Sequence, residues 1–197
     1  MTDALFEADD DANTPLMPSE REGLIPTYIA TRAELNEAEQ ANINEADRWA
    51  FSRRRGDVLT PQFLLQLHRR MLGRVWRWAG RLRATERNIG IAPYLIETEL
   101  RRLTDDARFW VDHQSFEPDE IAVRFHHRLV AIHPFANGNG RHSRLAADLL
   151  IVQLGGRRFT WGRANLVTAA TTRRQYVQAL RAADGHDIRP LLAFARS

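Results

Sequence analysis

Apolar positions recur along this chain at helical rather than strand spacing. After Thr31, the residues Leu35, Ala38 and Ile43 lead toward Trp49 with acids on the other faces, which predicts a helix over residues 31–49. Its start is written locally, because Thr31 and Glu34 form a capping box in which each can satisfy the other's free amide. Thr60-Pro61 predicts a second start, a cap followed by a first-turn proline. Phe63, Leu64, Leu67 and Met71 then keep helical spacing until Gly73. The periodicity resumes from about Ile96 to Trp110, from Pro118 to Ile132, and from the glycines at 138–140 to about Leu154, where Gly155-Gly156 stops it. Two or three shorter helices fill the remainder, one carrying Tyr176 and Leu180. Between Gly80 and Pro93 the pattern changes. Ile89-Gly90-Ile91-Ala92-Pro93-Tyr94 is short, apolar and interrupted by Gly and Pro, which predicts a small β-hairpin flap near residues 83–94. The expected fold class is all-α, a helical bundle with this one β excursion.

Length and composition bound the picture. A chain of 197 residues with 44% hydrophobic content suits one compact domain with an N-terminal appendage. Residues 1–30 read as an irregular acidic lead-in, with Asp9-Asp10-Asp11 and little apolar periodicity. No apolar run approaches the roughly 20 residues needed to span a bilayer, so no membrane association is expected. The acidic start Met1-Thr2-Asp3-Ala4-Leu5-Phe6-Glu7 lacks the marks of a signal peptide, and the expected location is the cytoplasm of a bacterium. Cysteine is absent, which excludes disulfides, zinc thiolate sites and Cys nucleophiles.

Charge adds more than its net value of +3 suggests. Residues 1–47 carry a balance of −10 and residues 48–197 a balance of +13, and all 28 basic residues are Arg. Three readings stand: a GC-rich coding bias, a nucleic-acid face, or an acidic N-terminal part lying on the basic body. Because the Arg residues are mixed with acids along helical patterns and no recognition-helix or finger pattern is present, nucleic acid is not an expected partner.

The chemistry concentrates in His133-Pro134-Phe135-Ala136-Asn137-Gly138-Asn139-Gly140-Arg141-His142-Ser143-Arg144. Pro134 disfavours helical geometry at His133 and turns the chain, and Phe135 can anchor the loop in the core. Gly138-Asn139-Gly140 leads straight into a helix, so free amides at its start can form an anion nest. Arg141 and Arg144, three residues apart, share a face above those amides and suit a polyphosphate. His133 can accept a proton from a hydroxyl at neutral pH. Asn137 offers a neutral oxygen that could help ligate Mg²⁺ together with phosphate oxygens.

This run resembles the Fic signature, His-Pro-Phe-x-(Asp/Glu)-Gly-Asn-Gly-Arg-x-x-Arg, at every specified position except Asn137. Trp78-Ala79-Gly80 with Arg83 resembles the stretch before the family's target-docking flap, and Tyr176-Val177-Gln178-Ala179-Leu180 resembles its helix after the motif. The resemblance makes residues 50–197 a Fic catalytic domain. The lead-in from Thr14-Pro15-Leu16 to Ile43 looks like the Fic subgroup labelled mobile mystery protein B, which brings with it the expectation of an HTH-type regulatory partner.

What the resemblance implies is protein adenylylation: AMP moves from ATP, with Mg²⁺, to a Ser, Thr or Tyr hydroxyl of a target protein. By position His133 would be the general base. Gly138, Asn139 and Gly140 would hold the α- and β-phosphates, Arg141 would assist the β-phosphate, and Arg144 would hold the γ-phosphate. Asn88, Ile89, Gly90 and Ile91 would dock an extended target segment by β-augmentation. Asn137 stands where most adenylylating members carry an acid, so metal binding should weaken or rely more on the nucleotide. Two alternatives stand beside adenylylation: another Fic-type activity (other nucleotide transfer or AMP removal), and a nucleotide-binding regulatory module with little turnover.

Many Fic proteins carry an inhibitory helix with the pattern (Ser/Thr)-x-x-x-Glu-(Gly/Asn). Ala41-Asn42-Ile43-Asn44-Glu45-Ala46 has the Glu at that spacing and departs at both flanks. The expectation is that residues 31–49 form this helix and that Glu45 pairs with Arg144; the competing reading is a solvated Glu. His126 and His127 lack acidic or Cys partners at ligand spacing for zinc. His142 reads as exposed or as a helix-packing residue. Tyr176 is equally compatible with bordering an adenine pocket and with packing.

Overall fold

The computed structural model describes residues 16–52, 56–163 and 168–197. The helices are α1 (Pro18–Arg21), α2 (Arg32–Ala50), α3 (Pro61–Leu72), α4 (Ile96–Asp112), α5 (Pro118–Ile132), α6 (Asn139–Gln153), α7 (Ala169–Asp184) and α8 (Arg189–Arg196). Their starts follow the local code. At α2 the Glu34 amide donates to Thr31 Oγ1 at 3.3 Å, while Glu34 Oε2 accepts from the Thr31 amide at 2.9 Å. At α3 the Phe63 amide donates to Thr60 Oγ1 at 3.2 Å, and Pro61 takes the first turn, where no amide is needed. Each such cap contributes about 1 kcal/mol.

α6 lies at the centre of the bundle. Leu145, Ala146, Ala147, Leu149, Leu150 and Ile151 are all buried, so this helix is apolar nearly all round, as a helix packed on several sides must be. It packs most extensively on α5; α4 covers α5, α2 lies on α3, and α8 lies on α7. Burying side chains such as Leu149 or Phe125 contributes about 1.5–3 kcal/mol each. The one acid inside α6, Asp148, is buried but satisfied. It accepts from Trp161 Nε1 at 2.9 Å, from the Phe159 amide at 3.3 Å and from Arg158, which also binds Asp47 on α2. No helix among the described residues is long and apolar enough to cross a membrane.

Two sequence expectations meet the structure here. The part of the lead-in that falls on residues 16–30 is short but fastened: the Ile25 amide donates to Val75 O and the Arg77 amide to Gly23 O, both at 2.8 Å, around a single antiparallel bridge between Leu24 and Trp76. Asp9-Asp10-Asp11 lie outside the described residues. The β-hairpin expected near residues 83–94 does not form; no strand occurs there. The buried Arg83 guanidinium takes the carbonyls of Thr85 and Ile91 that a ladder would have used, and Pro93 opens a 3₁₀ turn, Pro93–Leu95. The segment is a flap held by side chains, Arg83 from within and Arg87 through its ion pair with Glu20, rather than by strand pairing.

Candidate active site

The loop from His133 to Gly138 joins α5 to α6, the two helices in closest contact. His133 closes α5 in the left-handed region (φ 53°, ψ 60°), where Pro134 prevents the helix from continuing. This places the imidazole at the floor of the flap, buried except for 8% of its surface. Arg83 holds the turn from beneath: its Nε donates to His133 O at 2.7 Å, and its own amide donates to Pro134 O at 2.9 Å. Burial, and then the nearby charges of Arg83 and Arg87, push the His133 pKa down to about 4, with a hydrogen bond to the Val130 backbone acting the other way. At neutral pH the ring is therefore uncharged and able to accept a proton.

The flap touches this histidine directly. Gly90 sits at φ +99°, and a Cβ added there would lie 2.5 Å from His133 Cβ and 2.8 Å from Arg83 Nη2. Only glycine fits that approach. Gly90→Ala is expected to destabilise the fold by about 1–3 kcal/mol by lifting the flap, read as a lowered midpoint in urea denaturation. Of the four predicted docking residues, Asn88, Ile89 and Gly90 are exposed and Ile91 is half-buried, its amide 3.5 Å from Ile132 O.

Next along the loop, Phe135 is fully buried, and Asn139 locks it. The Phe135 amide donates to Asn139 Oδ1 at 2.9 Å, and Asn139 Nδ2 donates to Phe135 O at 2.8 Å. This changes the expectation for Asn139: its side chain is committed to the loop, which leaves its backbone amide for a ligand. Gly138 has φ +78° and caps α6, and an added Cβ would meet Leu72 Cδ1 at 2.7 Å. Asn137 is half-buried, and its Oδ1 accepts from the Gly138 amide at 2.6 Å. No cluster of three His, Cys, Asp or Glu suited to a metal occurs among the described residues. One amide oxygen suits Mg²⁺ only if the ion arrives with phosphate and water oxygens to complete its shell.

The two arginines above the loop are held differently from expectation. Arg144 lies over the ring of Tyr176, 5.2 Å from its centroid, and a Cβ at Gly140 would be 3.9 Å from Arg144 Nη1. Tyr176 in turn shares its hydroxyl with His126 Nε2 at 3.0 Å, so this tyrosine packs behind Arg144. Arg141 donates to Glu39 Oε2 at 2.7 Å, and the other oxygen of that carboxylate accepts from Trp76 Nε1 at 2.7 Å. Glu45, expected on Arg144, instead meets Arg74 at 2.8 Å on a largely exposed face. An acid of α2 does reach the motif, as the charge split suggested, but it is Glu39 and its partner is the first arginine. Glu39 was overlooked although its signal was present. It falls on the stripe Leu35, Asn42, Ala46 and Ala50 that α2 buries, where an acid needs a partner.

Beneath the loop, His142 is wholly buried with Nε2 2.9 Å from Leu64 O, which makes it a packing residue. His68 on α3 is equally buried, and the sequence pattern gave no reason to single it out. The arrangement combines one neutral imidazole, the start of α6, whose first amides have no partner within the helix, and two guanidinium groups. Such a site can bind a chain of phosphates and remove a proton from a nucleophile beside it.

Residues 58–151 match the Fic/DOC family profile. Protein adenylyltransferase fic-1 of Caenorhabditis elegans is 30% identical over 146 residues, which are 70% of this chain and 27% of that protein. Protein adenylyltransferase Fic of Culex quinquefasciatus is 34% identical over 146 residues, 71% of this chain and 27% of its own. The chain thus spans about a quarter of the length of these curated relatives. Among solved structures, a Fic-1 fragment from C. elegans superposes with a TM-score of 0.67 at 25% identity, covering 90% of this chain and 52% of that one. The BepC protein of Bartonella tribocorum with bound AMPPNP shares the fold, with a TM-score of 0.68 at 16% identity over 91% and 97% of the two chains.

Proposed function

Because residues 58–151 form a Fic/DOC family domain, we propose that the protein is an adenylyltransferase that moves AMP from ATP to a hydroxyl side chain of a target protein. The observation that carries this reading is the neutral imidazole of His133, buried at one end of a loop whose other end is an amide nest flanked by Arg141 and Arg144. His133 accepts the proton as the target oxygen attacks the α-phosphorus; the new P–O bond forms, the bond to the bridging oxygen breaks, and pyrophosphate leaves. The amides of Gly138, Asn139 and Gly140 meet the α- and β-phosphates, with Arg141 at the β- and Arg144 at the γ-phosphate. Mg²⁺ arriving with the nucleotide would neutralise phosphate charge, with Asn137 as its one protein ligand. Bound phosphates also raise the His133 pKa toward neutrality, which strengthens it as a base when substrate is present.

Asn88, Ile89, Gly90 and Ile91 remain the docking segment in this reading, presented by the flap backbone. The mobile mystery protein B subgroup and its HTH-type regulatory partner rest on the lead-in residues alone. The test is to incubate the protein with Mg²⁺ in lysate with ATP labelled at the α- or, in parallel, the γ-phosphorus, and with protein already carrying labelled AMP. Label transferred to protein supports AMP transfer. Label found only from the γ-position assigns phosphoryl transfer instead, and label that only leaves a pre-modified protein assigns AMP removal.

A second reading, a nucleotide-responsive module with little turnover, draws on one specific contact. The Glu39 carboxylate occupies the Arg141 fork that phosphate would use. Glu39→Gln keeps a hydrogen-bond acceptor for Trp76 but removes the charge that competes with phosphate. It is expected to raise ATP affinity about tenfold, consistent with loss of a partly buried ion pair, measured by calorimetric titration. Unchanged affinity would remove Glu39 as a competitor.

A further inference from the structure

His68 makes two hydrogen bonds that together fix its protonation. The Gly80 amide lies 2.9 Å from Nδ1, and the carbonyl oxygen of Asn137 lies 3.0 Å from Nε2. A backbone amide can only donate and a carbonyl can only accept. Nδ1 is therefore the acceptor, and the proton sits on Nε2, which donates to Asn137 O. A charged imidazolium would turn Nδ1 into a donor facing another donor. The ring has no room to adjust, being fully buried and stacked on Phe135 at 3.7 Å between centroids and 14° between planes. Its burial, with the neighbouring His142 and Arg141, holds its pKa well below the ordinary range.

The consequence runs through one peptide plane. In a trans peptide the C=O and the following N–H point in opposite directions. With Asn137 O drawn onto His68, the Gly138 amide points the opposite way, where it donates to Asn137 Oδ1 at 2.6 Å, the partner a phosphate oxygen would replace. The turn is packed closely enough onto this pair that only glycine fits at 138: an added Cβ would lie 2.7 Å from Leu72 Cδ1 and 3.4 Å from His68 Nε2. We infer that His68, through its Nε2–H bond to the Asn137 carbonyl, is the positioning residue that aims the first amide of the phosphate nest, and through Nδ1 ties that nest to the Gly80 turn from which the flap departs. This rests on the reading of residues 137–144 as a phosphate loop.

Three variants separate the two bonds. Gln at 68 reaches the Nε2 position and can still donate to Asn137 O but leaves Gly80 unpaired. Asn at 68 reaches the Nδ1 position and can accept from Gly80 but leaves Asn137 O unmet. Phe keeps the stack and neither bond. Titration with ADP and with inorganic tripolyphosphate, on full-length variants that melt cooperatively, should show His68→Gln within about threefold of wild type and His68→Asn and His68→Phe weaker by about tenfold. Equal loss in His68→Gln and His68→Asn, or wild-type binding by His68→Asn, overturns the inference. Nitrogen-15 NMR of the wild-type imidazole is an independent test that needs no variant to fold: a proton on Nδ1 overturns the inference. If the wild type binds neither probe, the phosphate reading of the site fails. The positioning is then judged on the Gly138 amide resonance, which must move in His68→Asn and stay in His68→Gln.

Discussion

His133→Ala is expected to lower AMP transfer by about 10²–10⁴-fold, the usual contribution of a general base, while leaving ADP affinity within a few-fold of wild type. The separation follows from the layout. His133 ends α5, whereas the amides and guanidinium groups proposed to meet phosphate belong to the first turns of α6. Removing the ring therefore removes the proton acceptor without touching the nest. The backbone at 133 is left-handed, and alanine tolerates φ 53° less well than histidine does, so part of any loss could come from the turn. His133→Asn controls for this, because Asn accepts that conformation readily. The measurement is single-turnover transfer of α-label beside calorimetric binding of ADP, on both variants. Transfer that survives in His133→Asn at the wild-type rate would mean that the base lies elsewhere.

The second large effect is on the fold. Between neutral pH and about pH 5 the protein is expected to lose several kcal/mol of stability. His126 is held at a pKa of about 3 and His142 and His133 at about 4, in each case chiefly by burial, against 6.5 for an exposed ring. These are depressed values, so the folded state binds fewer protons than the unfolded chain. The stabilisation is fully present above 6.5 and is lost as pH falls from there toward the folded pKa values. At about pH 5 each ring contributes a loss of roughly 2 kcal/mol, and three together approach the whole stability of an ordinary domain, about 5–15 kcal/mol. His68 shifts in the same direction. Asp148 shifts upward through burial and acts the other way, but its offset begins only as the carboxylate takes up a proton. Urea denaturation at neutral pH and at about pH 5 reads the difference directly. A flat profile would show that these imidazoles are not held neutral inside the protein.

Both effects concern histidines, and the sequence ranked them unevenly. His133 stood out because its neighbours carry a dense pattern, while His126 and His142 read as helix residues of no settled role. All three are buried, and burial is a property of how α5 and α6 pack on each other and on α3 and α7 rather than of any local run. The flap shows the same limit. Alternating Ile and Gly around residue 90 favours a hairpin by local rules, but the Arg83 guanidinium, buried by the chain around it, takes the carbonyls first. At Asn139 the pattern pointed to a phosphate ligand, whereas the fold uses the side chain to brace Phe135.

By itself the sequence determined the helix starts at Thr31 and Thr60, the turn at His133-Pro134, the glycine nest and the two arginines beside it. All of these are set by residues within one or two turns of each other, where geometry is fixed by the covalent chain. The tertiary structure alone decided which acid meets which arginine. Glu39 and Glu45 lie on one helix, but six residues at 100° each set them about 120° apart around its axis. The packing of α2 against α3 turns Glu39 inward to Arg141 and leaves Glu45 outside with Arg74. A contact spanning 102 residues depends on the rotation of a packed helix, and that rotation is set by the whole buried stripe of α2, not by any motif within it.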